Sequence, residues 1–102
     1  MKESESQPEV GQIVLTKKGR DAGSFAVVIG IIDERFILIA DGNKRKFDRA
    51  KKKNINHVIM YPHLSKEVKR SMEETGRVTN AKLRYALQDF YREQPEILKE
   101  GE

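Results

Sequence analysis

The sequence predicts a mainly β fold, a small barrel of short strands, followed by two C-terminal α-helices. Three observations carry this expectation. Apolar residues are concentrated within residues 13–60, in strand-sized runs separated by turn residues. The run at residues 25–32 is rich in β-branched side chains, which suit a pleated surface. From Leu64 onward the apolar period becomes four, the spacing of one helix face.

Residues 1–9 are polar, with three glutamates, and are expected to form a disordered acidic tail. Residues 10–62 are assigned to the barrel. Residues 12–15 make a first short strand, and residues 17–23 a loop with two glycines. Residues 25–32 and 35–40 flank Asp33 and Glu34, which suggests an antiparallel hairpin. Asp41, Gly42 and Asn43 are a strong turn signal. Residues 44–47 and 55–60 are read as two further strands. Many short strands with frequent turns favour a closed barrel over an open sheet.

Residues 63–95 are assigned to a helical extension packed on the barrel, covering its open end. Leu64, Val68 and Met72 share one face of a first helix, with Ser65 or His63 as cap and Gly76 as its left-handed stop. Thr79 is a good N-cap for a second helix. Val78 and Leu83 are placed to form a hydrophobic staple. Leu83, Ala86, Leu87, Phe90 and Tyr91 form an apolar stripe read as core. Pro95 marks the end of that helix, and residues 96–102 are expected to fray.

At 102 residues the chain has the size of one domain. It has no cysteine, which excludes disulfides and thiolate metal sites and is compatible with a reducing cytosol. No apolar run approaches the ~18 residues of a membrane span, and residues 1–10 contain no secretory signal. A cytoplasmic location without membrane association is therefore expected. His57 and His63 form no recognised metal pattern, so no metal is expected. No nucleophilic triad or separated carboxylate pair is visible, Asp33–Glu34 and Glu73–Glu74 being simple neighbours. Residues 19–23 lack the ending of a nucleotide-binding loop. The reading is a non-enzyme with no cofactor and no small-molecule substrate.

Charge supplies the positive signal. The net charge is +4, but it is unevenly distributed. Residues 11–63 hold eleven basic and five acidic groups, whereas residues 64–102 hold eight of each. Lys44, Arg45, Lys46, Arg49, Lys51, Lys52 and Lys53 fall within ten residues, opposed by Asp48 alone. Such like charges repel, and a polyphosphate relieves them while releasing condensed ions. Lys17, Lys18 and Arg20 form a second basic cluster. They share a loop with Gly19 and Gly23, where backbone amides also approach a phosphate closely. The alternative for each cluster is a solvated surface loop. Phe47, between Lys46 and Arg49, is a base-stacking candidate or a core anchor.

The stretch V-G-Q-I-V-L-T-K-K-G-R-D-A-G-S-F-A-V-V, residues 10–28, resembles the KOW motif, a strand, a loop with spaced glycines and a second strand. Gly11, Gly19, Ala22 and Gly23 stand where that motif has its glycines and small residue. I-A-D-G-N-K-R-K (residues 39–46) and A-K-K-K-N-I-N-H-V (residues 50–58) resemble the continuation in bacterial KOW-domain RNA-binding proteins. V-T-N-A-K-L-R-Y-A-L (residues 78–87) is also similar to that group. These in turn resemble the archaeal and eukaryotic large-subunit ribosomal proteins of the fourteenth, sixth and twenty-seventh kinds. The resemblance implies an SH3-like barrel that binds structured RNA, above all ribosomal RNA, through its loops, with ribosomal proteins as further partners. A KOW-type protein-interaction module of a transcription or translation factor is the alternative it allows.

Overall fold

The computed structural model describes residues 7–94. Five strands and two helices follow one another in chain order: β1 (Gln12–Thr16), β2 (Phe25–Ile31), β3 (Phe36–Ala40), β4 (Lys51–Asn54), β5 (Val58–Leu64), α1 (Lys66–Thr75) and α2 (Asn80–Glu93). The strands form one antiparallel sheet in the order β4-β3-β2-β1-β5. The expected closed barrel is not found, because the edge strands β4 and β5 are not paired with each other.

The sheet is nonetheless strongly curled. A flat sheet would separate its first and fifth strands by four spacings, about 19 Å. Asn54 and Val58 are joined only by the 3-10 turn Ile55–His57, and four residue steps reach about 14 Å at most. Register irregularities between Gln12 and Val14 and between Val28 and Gly30 add local twist.

Curling gives both faces of the sheet a core. Side chains alternate along each strand, and in β1, β2, β3 and β5 both sets include apolar residues. Ile13, Val27, Ile29 and Ala40 pack beneath the helices with Val68, Val78, Leu83, Ala86, Leu87 and Phe90. Val14, Ala26, Val28, Ile37, Ile39 and Val58 fill the inside of the curl. The helices therefore cover a face of the sheet, not the open end of a barrel.

Local chemistry starts both helices and stops the first. The Ser65 hydroxyl accepts the Val68 N–H, Gly76 takes φ +74° after α1, and the Thr79 hydroxyl accepts the Lys82 N–H. Val78 and Leu83 are both buried in the helix-side core, as a staple requires. Leu64, expected on the first helix, is the last residue of β5, and His63 lies in that strand rather than capping a helix.

Two further expectations are corrected. Residues 44 and 45 form bends, Lys46 is extended and Phe47–Arg49 form a 3-10 turn, where a strand was expected. The strand follows at Lys51–Asn54, paired with Phe36, Ile37, Leu38 and Ile39. Ile55–His57 is a turn, and β5 runs on past Pro62 to Leu64. Proline has no N–H for a ladder, so an edge strand beside a register shift is where it fits. Of the tail expected to be disordered, Glu9 is engaged: its N–H donates to Gln12 Oε1, and Lys69 Nζ donates to its carboxylate. Residues 1–6, Pro95 and residues 96–102 lie outside the described residues.

Candidate nucleic-acid interface

The two basic clusters are distant in sequence and adjacent in space. The loop of residues 17–24 is knotted around Thr16, a side chain only 2% exposed. The Thr16 hydroxyl donates to the carbonyls of Asp21 and Ser24. Gly23 N–H returns to the Thr16 carbonyl at 2.8 Å, and Ala22 N–H to Gly19 at 3.1 Å. Gly19 and Gly23 take φ of +94° and +89°, the left-handed backbone this turn needs. Lys17, Lys18 and Arg20 are left exposed on its surface.

Three contacts bind this loop to the second cluster. Asp21 Oδ2 lies 3.6 Å from Lys51 Nζ and 3.9 Å from Arg45 Nη2. Lys53 Nζ donates to the Lys18 carbonyl at 2.9 Å. Lys53 is only 7% exposed; its side chain spends itself on holding the loop, and a side chain at Gly19 would crowd its amine at 3.1 Å.

The register of β4 explains how three consecutive lysines separate. Lys51 and Lys53 stand opposite Ile39 and Ile37, on the inner side of the curl. Lys52 stands opposite Leu38 on the other face, with its amine 4.5 Å from the Phe36 ring centre, a cation–π contact. Lys52 is thus not brought together with Lys51 and Lys53.

The remaining members sit on the turn after β3. Asp41 Oδ1 accepts the N–H groups of Asn43 and Arg45, both at 2.8 Å, which fixes the turn that carries Lys44. Gly42 takes φ +80°, and a Cβ there would collide with the Asn80 carbonyl oxygen. The Arg84 guanidinium donates to the Gly42 carbonyl at 2.7 Å. Lys44, Lys46 and Arg49 are exposed. Phe47 is half-buried and packs against the helix-side core, its N–H donating to Asn80 Oδ1 at 2.8 Å. The core-anchor alternative describes its position, with the Arg77 guanidinium 6.0 Å from its ring centre.

Four contributors were not singled out from the sequence. Asp21 joins the clusters, Thr16 knots the loop, and Arg77 and Arg84 bring cations from the charge-balanced helical part. Asp21 had a visible signal, a lone acid inside a basic loop; the two arginines had none. His57 ends the 3-10 turn, and His63 packs 5.2 Å from Phe90 with Nδ1 3.4 Å from Glu93. Among the described residues no cluster of three or more metal-type ligands occurs, and no helix is long and apolar enough to cross a membrane.

Fold and charge define a class: a small basic β-sheet protein with a two-helix cover and its cations gathered on adjoining loops. The chain belongs to the family of the large ribosomal subunit protein eL14. It is 33% identical over 102 residues to that protein of Hyperthermus butylicus, covering 91% of this chain and 94% of the relative. The Aeropyrum pernix protein of the same name is 31% identical over 99 residues, 89% of each chain. A Bacillus subtilis (strain 168) relative named "Putative ribosome-binding protein YbzG" is 45% identical over 71 residues, 70% of this chain and 96% of its own length. No family model matches the chain. The relatives carry the fourteenth of the three ribosomal kinds named by resemblance; the sixth and twenty-seventh find no support among them. None of these names is that of an enzyme.

Proposed function

We propose that this protein is a ribosomal or ribosome-associated protein that binds structured ribosomal RNA through its two joined basic loops. The observation that carries the proposal is the pairing of the loops, through Asp21 with Arg45 and Lys51 and through Lys53 with the Lys18 carbonyl. Lys17, Lys18, Arg20, Lys44, Arg45, Lys46, Arg49 and Lys51 grip phosphates in this reading, and Lys53 fixes the spacing between the loops. Contacts of this kind position a protein without reading sequence, and the RNA helix is selected by shape. The relatives' names, large ribosomal subunit and ribosome-binding, support the partner. The strand, glycine-bearing loop and second strand at residues 12–31 support an SH3-like curl of the KOW type for the sheet.

Binding to a ribosomal RNA fragment across a salt series tests the proposal. If all eight cations contact phosphates the log–log slope is about −7, and each exposed lysine replaced by alanine lowers its magnitude by about 1. A flat response to salt would sink the phosphate grip. Co-sedimentation with large ribosomal subunits is expected to show the same salt sensitivity.

A further inference from the structure

A groove of about 340 Å³ runs between α2, residues 23–25 and the turn after β3. We propose that it receives a single unstacked nucleotide of the bound RNA. This rests on the RNA reading above and adds a site that can tell one nucleotide from another, which phosphate contacts cannot do.

Its lining has the three chemistries such a guest needs. Phe25 and Tyr91, whose rings meet edge to face at 5.8 Å, form an aromatic wall, and aromatic side chains are the usual platform for an unstacked base. Asn43 and Gln88 supply amide groups that both donate and accept. Among the described residues their side chains have no hydrogen-bond partner, and both are exposed to the groove's solvent. Lys44 and Arg84 supply cations for the attached phosphate. The size is that of a small-ligand pocket.

Continuity with the basic loops favours a nucleotide within a chain over a free small molecule. The groove shares Ser24, Phe25, Asp41 and Lys44 with the adjoining cleft, whose other lining residues include Asp21, Arg45 and Lys51. A base in the groove therefore remains joined to phosphates lying on the proposed grip. Burial first, and then the nearby Asp41 carboxylate, raises the Tyr91 pKa above its usual 10. Its hydroxyl is consequently a proton donor throughout the physiological range.

Fluorescence anisotropy with two sets of labelled RNA hairpins tests the site. One stem is fully paired; the others carry one bulged nucleotide, each of the four bases in turn. At least one bulged stem is expected to bind about tenfold tighter than the paired stem, the size of two net hydrogen bonds from the Asn43 and Gln88 amides to a base edge. The double variant Asn43→Ala/Gln88→Ala, at two exposed positions, is expected to lose most of that preference while binding the paired stem as before. Equal binding of all stems by the native protein, with steep salt dependence retained, would overturn the nucleotide groove and leave the phosphate grip standing. An undiminished preference in the double variant would overturn it too. Binding of no stem even at low salt would overturn both readings together.

Discussion

Lys53 shows how far one side chain can depart from its neighbours. In the sequence it is the third of three identical residues; in the fold it is buried, with its amine on a loop carbonyl. Replacing it with alanine removes the buried stem and leaves the Lys18 carbonyl without that partner, at a cost of about 1–3 kcal/mol. Urea unfolding should register this loss for Lys53→Ala, and a near-normal stability for Lys52→Ala. Methionine at 53 restores the stem alone and should recover part of the difference. Tyr91 makes a separate prediction about pH. Its folded-state pKa is raised, so the fold disfavours the phenolate. The sign follows: stability is unaffected below about pH 10 and declines as pH rises through the folded value. In thermal melts, Tyr91→Phe should show a smaller alkaline loss than the native chain.

At the level of elements, the sequence was legible wherever a local rule decided the outcome. β2 and β3 announce themselves by β-branched runs around a polar turn. The helix starts follow from Ser65 and Thr79, because a cap is a contact across three residues. Alanine at Thr79 should cost about 1 kcal/mol, and a loss well beyond that in chemical denaturation would show that the α2 start also anchors the turn at Gly42. β4 was not legible. Lysine runs read as solvated loop, and this strand exists through its ladder to β3 rather than by propensity. The end of β5 was hidden for the opposite reason, since Pro62 argues against a strand unless the edge position is already known. In the interface, the charged residues were readable one by one, whereas their meeting through Asp21 depends on a sheet curl that no short window of sequence contains.

For the whole molecule, the curled but unclosed sheet leaves two edges to be guarded. β4 carries lysines along its edge and β5 carries Pro62, both devices that discourage pairing with another chain. Lys52 lies on the exposed side of that edge. Lys52→Ile should raise light scattering on concentration while leaving the monomer's unfolding midpoint nearly unchanged; an equally clear solution would remove edge protection from the roles of this residue.

The place of β1 has a consequence for how the chain comes off its own template. This strand lies between β2 and β5, and its pairing with β2 links residues close in sequence, Leu15 with Phe25 among them. Its pairing with β5 joins Gln12 to Leu64. During synthesis at roughly 5–20 residues per second, β1 therefore waits several seconds with one side unsatisfied. The β1–β2–β3 hairpins can form while translation continues, but the last ladder, and with it the seat of both helices, must wait until β5 has emerged.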